Sequence, residues 1–268
     1  MDMGLPASRF AIQQFGKMNG EAIVLIHGNG LTSETFHPLL QKLGEQFRLI
    51  TYDQRGFGKT TYDGVNFSIS AMSADLENIV NSLNLTKFHL VAHSFGARIA
   101  VDYASMHPER VLSLSIEDME MQARQLTDDK FCRQLGLEMK ALNRIYSSKD
   151  SLEDEVGAYY AGDAYSLSLL QVEPLSNGWV RLRSNPFQAY IWGCFADSRD
   201  LRVSFSSIKS PILILRADPV FSAISEAGLK QMIHLQPSAK VVNFPGSHHL
   251  IHRFDTDAFV EALKAVIP

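Results

Sequence analysis

Ser94 is the residue of this chain whose surroundings are best organised for reaction. It stands in AHSFG (92–96), where an apolar run, FHLVAH (88–93), meets Ala97, Ile99, Ala100, Tyr103 and Ala104 at helical spacing. A serine hydroxyl is a poor nucleophile until a base lies beside it and its position is fixed. A tight turn between a strand and a helix does the fixing, and Ala92 and Gly96, two residues to either side, keep the two elements from colliding. The helix that follows aims its unsatisfied N–H groups at the place where charge would develop on a substrate oxygen. The plainer alternative is a serine capping an ordinary helix. A strand before and a helix after favour the reactive turn.

A base and an acid are also on offer. GSHHLIH (246–252) carries His248, His249 and His252, three candidates for one basic role. His248 and His252 lie four apart and would share a helix face as metal ligands, but no glutamate follows His248 and the segment begins as a loop after a strand. Carboxylates close several apolar runs: Asp53 after FRLITY, Glu117 and Asp118 after VLSLSI, and Asp218 after PILILRA.

These residues need a scaffold that gathers strand ends. AIVLIHG (22–28), FRLITYD (47–53), FHLVAH (88–93), VLSLSIE (111–117), PILILRAD (211–218) and KVVNFPG (240–246) read as buried strands, each ending where polar residues or glycines begin. Between them lie amphipathic stretches: SETFHPLLQKLGEQF, opening on a capping serine, then Ser70 to Leu83, the stretch after Ser94 as far as His107-Pro108, and Asp255 to Val266. The alternation predicts an α/β fold with a mostly parallel sheet flanked by helices, whose loops converge at the carboxyl ends of the strands. Residues 120–206 break the alternation, with helical but no clear strand patterning. They are rich in aromatics, among them Phe131, Tyr146, Tyr159, Tyr160, Tyr165, Trp179, Phe187, Tyr190, Trp192 and Phe195. We expect a helical cap inserted into a core made of 1–119 and 207–268.

Composition narrows the partners. A net charge of −4 with no dense basic cluster gives no pull toward nucleic acid or an anionic membrane. No apolar run approaches the roughly 18 residues of a membrane span, and the N-terminus lacks a signal-like pattern, so a cytoplasmic protein is expected. Cys132 and Cys194 form no metal-like pair and suit a reducing compartment.

Four segments in order, HGNG (27–30), DQRGFGKT (53–60), AHSFG (92–96) and PGSHHLIH (245–252), resemble the α/β-hydrolase superfamily, specifically its members with a helical cap. The resemblance implies an α/β-hydrolase fold and a serine nucleophile at Ser94. It places the oxyanion hole at the backbone N–H groups of Asn29 and Phe95, and reads His27 as structural. Asp53 and Arg55 would tie their own loop together. The superfamily's order of serine, acid, histidine sets Asp53 aside and favours Asp218, with Glu117 and Asp118 as competitors from the earlier strand. His249, with His252 three residues on, matches the family spacing for the base; His248 stands where a glycine is usual and is its rival.

The implied activity is hydrolysis of a small carboxylic ester or related acyl compound through an acyl-enzyme, with no cofactor and no metal. Carbon–carbon bond hydrolases, thioesterases, lactonases and haloperoxidase-like enzymes share the same residues, whereas dehalogenases and epoxide hydrolases place an aspartate where Ser94 stands. A ligand-binding signalling protein on the same scaffold is the alternative of another class. The cap aromatics point to an apolar or aromatic small-molecule substrate, and Arg181, Arg183, Arg199 and Arg202 are candidates for holding a substrate carboxylate.

Overall fold

A computed structural model describes residues 4–60, 68–123, 145–157, 172–182 and 199–268. Its strands are β1 (Ile12–Gly16), β2 (Ala22–Ile26), β3 (Arg48–Tyr52), β4 (Phe88–His93), β5 (Val111–Glu117), β6 (Val172–Pro174), β7 (Val180–Leu182), β8 (Ile212–Arg216) and β9 (Lys240–Asn243). The helices are α1 (His37–Leu43), α2 (Ile69–Ser82), α3 (Phe95–Met106), α4 (Lys149–Gly157), α5 (Arg202–Ser207), α6 (Glu226–Leu235), α7 (Ile251–Phe254) and α8 (Thr256–Leu263). All six expected strands are present, and no helix among the described residues is long and apolar enough to cross a membrane.

Seven strands form one sheet in the order β1-β3-β2-β4-β5-β8-β9, parallel except for β1, which pairs antiparallel with β3. Alternate side chains of each strand go to opposite faces. Val24, Ile26, Leu90, Ala92, Leu114 and Ile116 pack with α2, α3, α5 and α6, while Ile23, Leu25, Val91, Leu213 and Leu215 pack with α1 and α8. Both faces are therefore covered, which is why the central strands read as continuous apolar runs.

Three expectations need correction. Ser33 does not cap the first helix; a short 3-10 turn, Ser33–Phe36, precedes α1, and Ser33 gives its N–H and hydroxyl to Asp53 Oδ1 at 2.8 and 2.7 Å. The stretch expected to open at Ser70 begins earlier, with α2 starting at Ile69 and Ser68 capping it by accepting the Ala71 N–H at 3.2 Å. The stretch 120–206 is not all helical: β6 and β7 pair antiparallel within it, and Tyr146 forms an antiparallel bridge to Val180 of β7. Its two ends also belong to the core, since Met121, Leu201 and Phe205 are buried in the main cluster.

Those two ends are held side by side. The Leu201 N–H donates to the Met121 carbonyl at 2.9 Å. Arg98, buried on α3, donates to the carbonyls of Glu120 (3.0 Å), Gln122 (3.1 Å) and Arg199. Of the aromatics singled out above, Tyr146 is buried and Trp179 exposed; the other eight, with Cys132, Cys194 and Arg183, lie outside the described residues, as does the Arg181 side chain. Arg199 pairs with the buried Asp102 at 2.8 Å, and Arg202 pairs with Asp200.

Candidate active site

Ser94 sits between the last residue of β4 and the first of α3, with φ 50° and ψ −124°. A non-glycine residue at positive φ costs on the order of 1–3 kcal/mol unless the surroundings hold it. Here they do: the Ser94 N–H donates to the Glu117 carbonyl at 2.8 Å, and its own carbonyl accepts from Ala97. Gly96 lets α3 cross β2, because a Cβ there would lie 2.5 Å from the His27 carbonyl oxygen and 2.6 Å from that of Ile26. Gly28 is equally constrained, with a Cβ 2.5 Å from His93 Nδ1 and 3.1 Å from Ser94 Cβ.

His249 faces the serine. Its Nε2 lies 3.0 Å from Ser94 Oγ and its Nδ1 lies 2.6 Å from Asp118 Oδ2. With Nδ1–H donating to the carboxylate, Nε2 is left as the acceptor for the Ser94 hydroxyl. His248 is elsewhere, between the rings of Phe221 and Phe254 with centroids 5.1 Å from each. His252 is fully buried, its Nδ1 against Glu117 and its Nε2 against Thr35 Oγ1, all at 2.8 Å.

The expectation for the acid is corrected: Asp118, not Asp218, meets the histidine. Asp218 accepts the N–H groups of Val220 and Gly246, each at 2.9 Å, and those bonds hold its carboxyl below the usual range. It staples the loop after β8 to the loop after β9. Asp118 lies one residue beyond β5 with φ 53°. Its Oδ1 takes the Ala217 N–H (3.2 Å) and the Ser222 hydroxyl (2.5 Å), and its Oδ2 takes the Ala223 N–H (2.9 Å) beside His249. Burial pushes this carboxyl up, but the bond and charge of His249 and the bonds from Ser222 and Ala223 outweigh it, leaving it below its ordinary value. The sequence signal for Asp118 was the pair Glu117-Asp118 itself, two adjacent acids facing two histidines three apart.

The remaining residues divide between the site and its supports. Phe95 opens α3, so its N–H lacks an intrahelical acceptor, and Asn29 follows β2 in the neighbouring loop. His27 donates from Nδ1 to the Gly28 carbonyl (2.8 Å) and accepts the Gln54 N–H at Nε2 (3.0 Å), which leaves no nitrogen for a base. Burial, partly offset by Asp53, lowers its pKa. Asp53 ties its own loop, taking Ser33 on one oxygen and the Lys59 N–H (2.8 Å) on the other. Arg55 reaches out of the loop among the described residues, forming a buried two-bond pair with Asp75 on α2.

The family model for the alpha/beta hydrolase fold matches residues 21–256. The chain is 24% identical, over 94% of its own length and 89% of the relative's, to 2-(acetamidomethylene)succinate hydrolase of Mesorhizobium japonicum. Among solved structures, a marine microorganism esterase superposes with a TM-score of 0.82 at 21% identity, covering 96% of this chain and 99% of that one. The enol-lactonase of Burkholderia xenovorans gives 0.73 at 17% identity, covering 96% of both. At these identities the structures show a common fold.

Proposed function

The chain belongs to the α/β-hydrolase family, and from that premise we propose that it is a serine hydrolase acting on a small carboxylic ester or a related acyl compound. One observation carries the reading: an unbroken line of contacts from Ser94 Oγ to His249 Nε2 (3.0 Å) and from His249 Nδ1 to Asp118 Oδ2 (2.6 Å).

In this mechanism Ser94 Oγ attacks the acyl carbon while its proton passes to His249 Nε2, and the imidazolium so formed is stabilised by Asp118. The N–H groups of Asn29 and Phe95 receive the oxyanion. His249 then gives its proton to the departing alcohol, leaving an acyl-serine. A water molecule, deprotonated by the same nitrogen, attacks that acyl group and releases the acid, returning the proton to Ser94. Asp118 fixes the tautomer throughout, so the corrected acid takes the role first assigned to Asp218.

Residues between Gln122 and Arg199 supply the cap in this reading, and with it the choice among ester, thioester, lactone and carbon–carbon bonds. The Mesorhizobium relative is named for 2-(acetamidomethylene)succinate, and the acetamido group of that compound makes an amide a sensible companion substrate to test. The decisive experiment is hydrolysis of short p-nitrophenyl esters, with fluorophosphonate labelling, by wild type and Ser94→Ala. Turnover and labelling that vanish together in Ser94→Ala support the proposal. Full turnover in the variant sinks it, and an inert, unlabelled wild type moves the reading to a ligand-binding protein.

A further inference from the structure

Behind Asp118 and His249 lies a second carboxylate–histidine pair that the mechanism does not use. Glu117 and His252 are both fully buried. The Glu117 carboxylate accepts two bonds from one residue: the His252 backbone N–H at 2.9 Å and its Nδ1–H at 2.8 Å. His252 Nε2 in turn accepts the Thr35 hydroxyl at 2.8 Å, which fixes the tautomer. Three further contacts tie this pair to the reacting groups. The Glu117 carbonyl takes the Ser94 N–H; Glu117 is bonded in sequence to Asp118; and His93 packs its ring 4.7 Å from His249 and 5.2 Å from His252, donating Nε2–H to the His249 carbonyl at 3.2 Å. A buried carboxylate is costly to keep where an apolar side chain would pack as well, so a purely space-filling role accounts poorly for it.

We infer that Glu117 and His252, backed by Thr35, are positioning residues for His249: they pin the turn 249–252 so that its imidazole stays between Ser94 and Asp118. The inference rests on the serine-hydrolase reading. Glu117 reaches both sides of the reacting pair, through its carbonyl to the nucleophile and through its carboxylate to the histidine turn. Slack at either end would lengthen the 3.0 Å contact that moves the proton.

The test compares wild type, Glu117→Gln, Thr35→Val and Ser94→Ala on a p-nitrophenyl ester. Rates are expressed per fluorophosphonate-titrated site, and the downfield imidazole N–H resonance is followed by proton NMR and identified by its loss in Asp118→Asn. Glu117→Gln is expected to lower kcat per site by roughly 10- to 100-fold, the range that misplacement of a reacting group produces, with KM within about twofold. The resonance should broaden or disappear. Thr35→Val, a near-isosteric change, should lower kcat by about 3- to 10-fold and weaken the signal, and it carries the test if Glu117→Gln does not fold. Wild-type kcat per site and an unchanged resonance in whichever of the two folds would overturn the positioning role while Ser94→Ala remains inert. An active Ser94→Ala would instead overturn the serine-hydrolase reading, and the inference with it.

Discussion

At the scale of single residues, the site turns on which acid meets His249. Asp118→Asn removes the acceptor that fixes the Nδ1–H tautomer, and in a serine triad that change lowers kcat by on the order of 10⁴-fold. Asp218→Asn leaves the His249 contacts untouched and should keep kcat within about twofold, as a substitution away from the reacting groups does. Steady-state kinetics of the two variants side by side decide the matter; the reverse ranking would restore Asp218. Ser94 was legible because the strand-to-helix turn constrains its position, and His249 was favoured over His248 by its spacing of three from His252. The acid was not, because Glu117, Asp118 and Asp218 all follow apolar runs and all satisfy the chain order. What separates them is tertiary: Asp118 adopts φ 53° and its N–H bonds the Leu215 carbonyl (2.8 Å), which carries its carboxylate across the end of β8.

At the scale of elements, the turn at Ser94 exists only if α3 can pass close to β2. Gly96→Ala sets a Cβ against two backbone oxygens that cannot move aside. Overpacking of this kind costs about 1–3 kcal/mol, so a melting temperature lower by several degrees is expected in a thermal scan. An unchanged midpoint would mean that the crossing is looser than the structure has it. Arg55→Ala acts through another element, stranding the buried Asp75 on α2; breaking one partner of a buried pair costs about 3–5 kcal/mol, and urea denaturation should show it. The parallel strands were readable from apolar runs. β1 was missed because IQQFG is half exposed at the sheet edge and lacks any apolar repeat, and β6 and β7, of three residues each, are too short to establish a period.

For the molecule as a whole, the buried histidines set an acid limit. Burial, followed by the charges of His249, His252 and His27 and opposed by the bond to the His249 carbonyl, holds His93 well below the ordinary value of 6.5, and burial lowers His27 as well. Below pH 6.5 the unfolded chain therefore binds more protons than the folded one, and stability falls as the pH falls. Asp118 contributes with the same sign further down: its stabilisation is present above 3.8 and is lost as the pH drops through its depressed value. Asp75 and Asp102, pushed up by burial, act the opposite way just above 3.8. The melting temperature should thus decline from about pH 7.5 to 5.5, with a shallower slope in His93→Asn; equal slopes would show that His93 is not the proton-sensitive group.

The grip of Arg98 on the carbonyls of Glu120, Gln122 and Arg199 has a consequence of a different kind. A chain that departs from the core and returns to it within the span of one guanidinium has a ready-made splice point. We propose that the stretch between Gln122 and Arg199 is an exchangeable cassette set on this point. Replacing it with a tight four-residue turn should leave a cooperatively melting core that still reacts with a fluorophosphonate, stripped of its choice of substrate; a core that no longer folds would mean that the two parts are one unit.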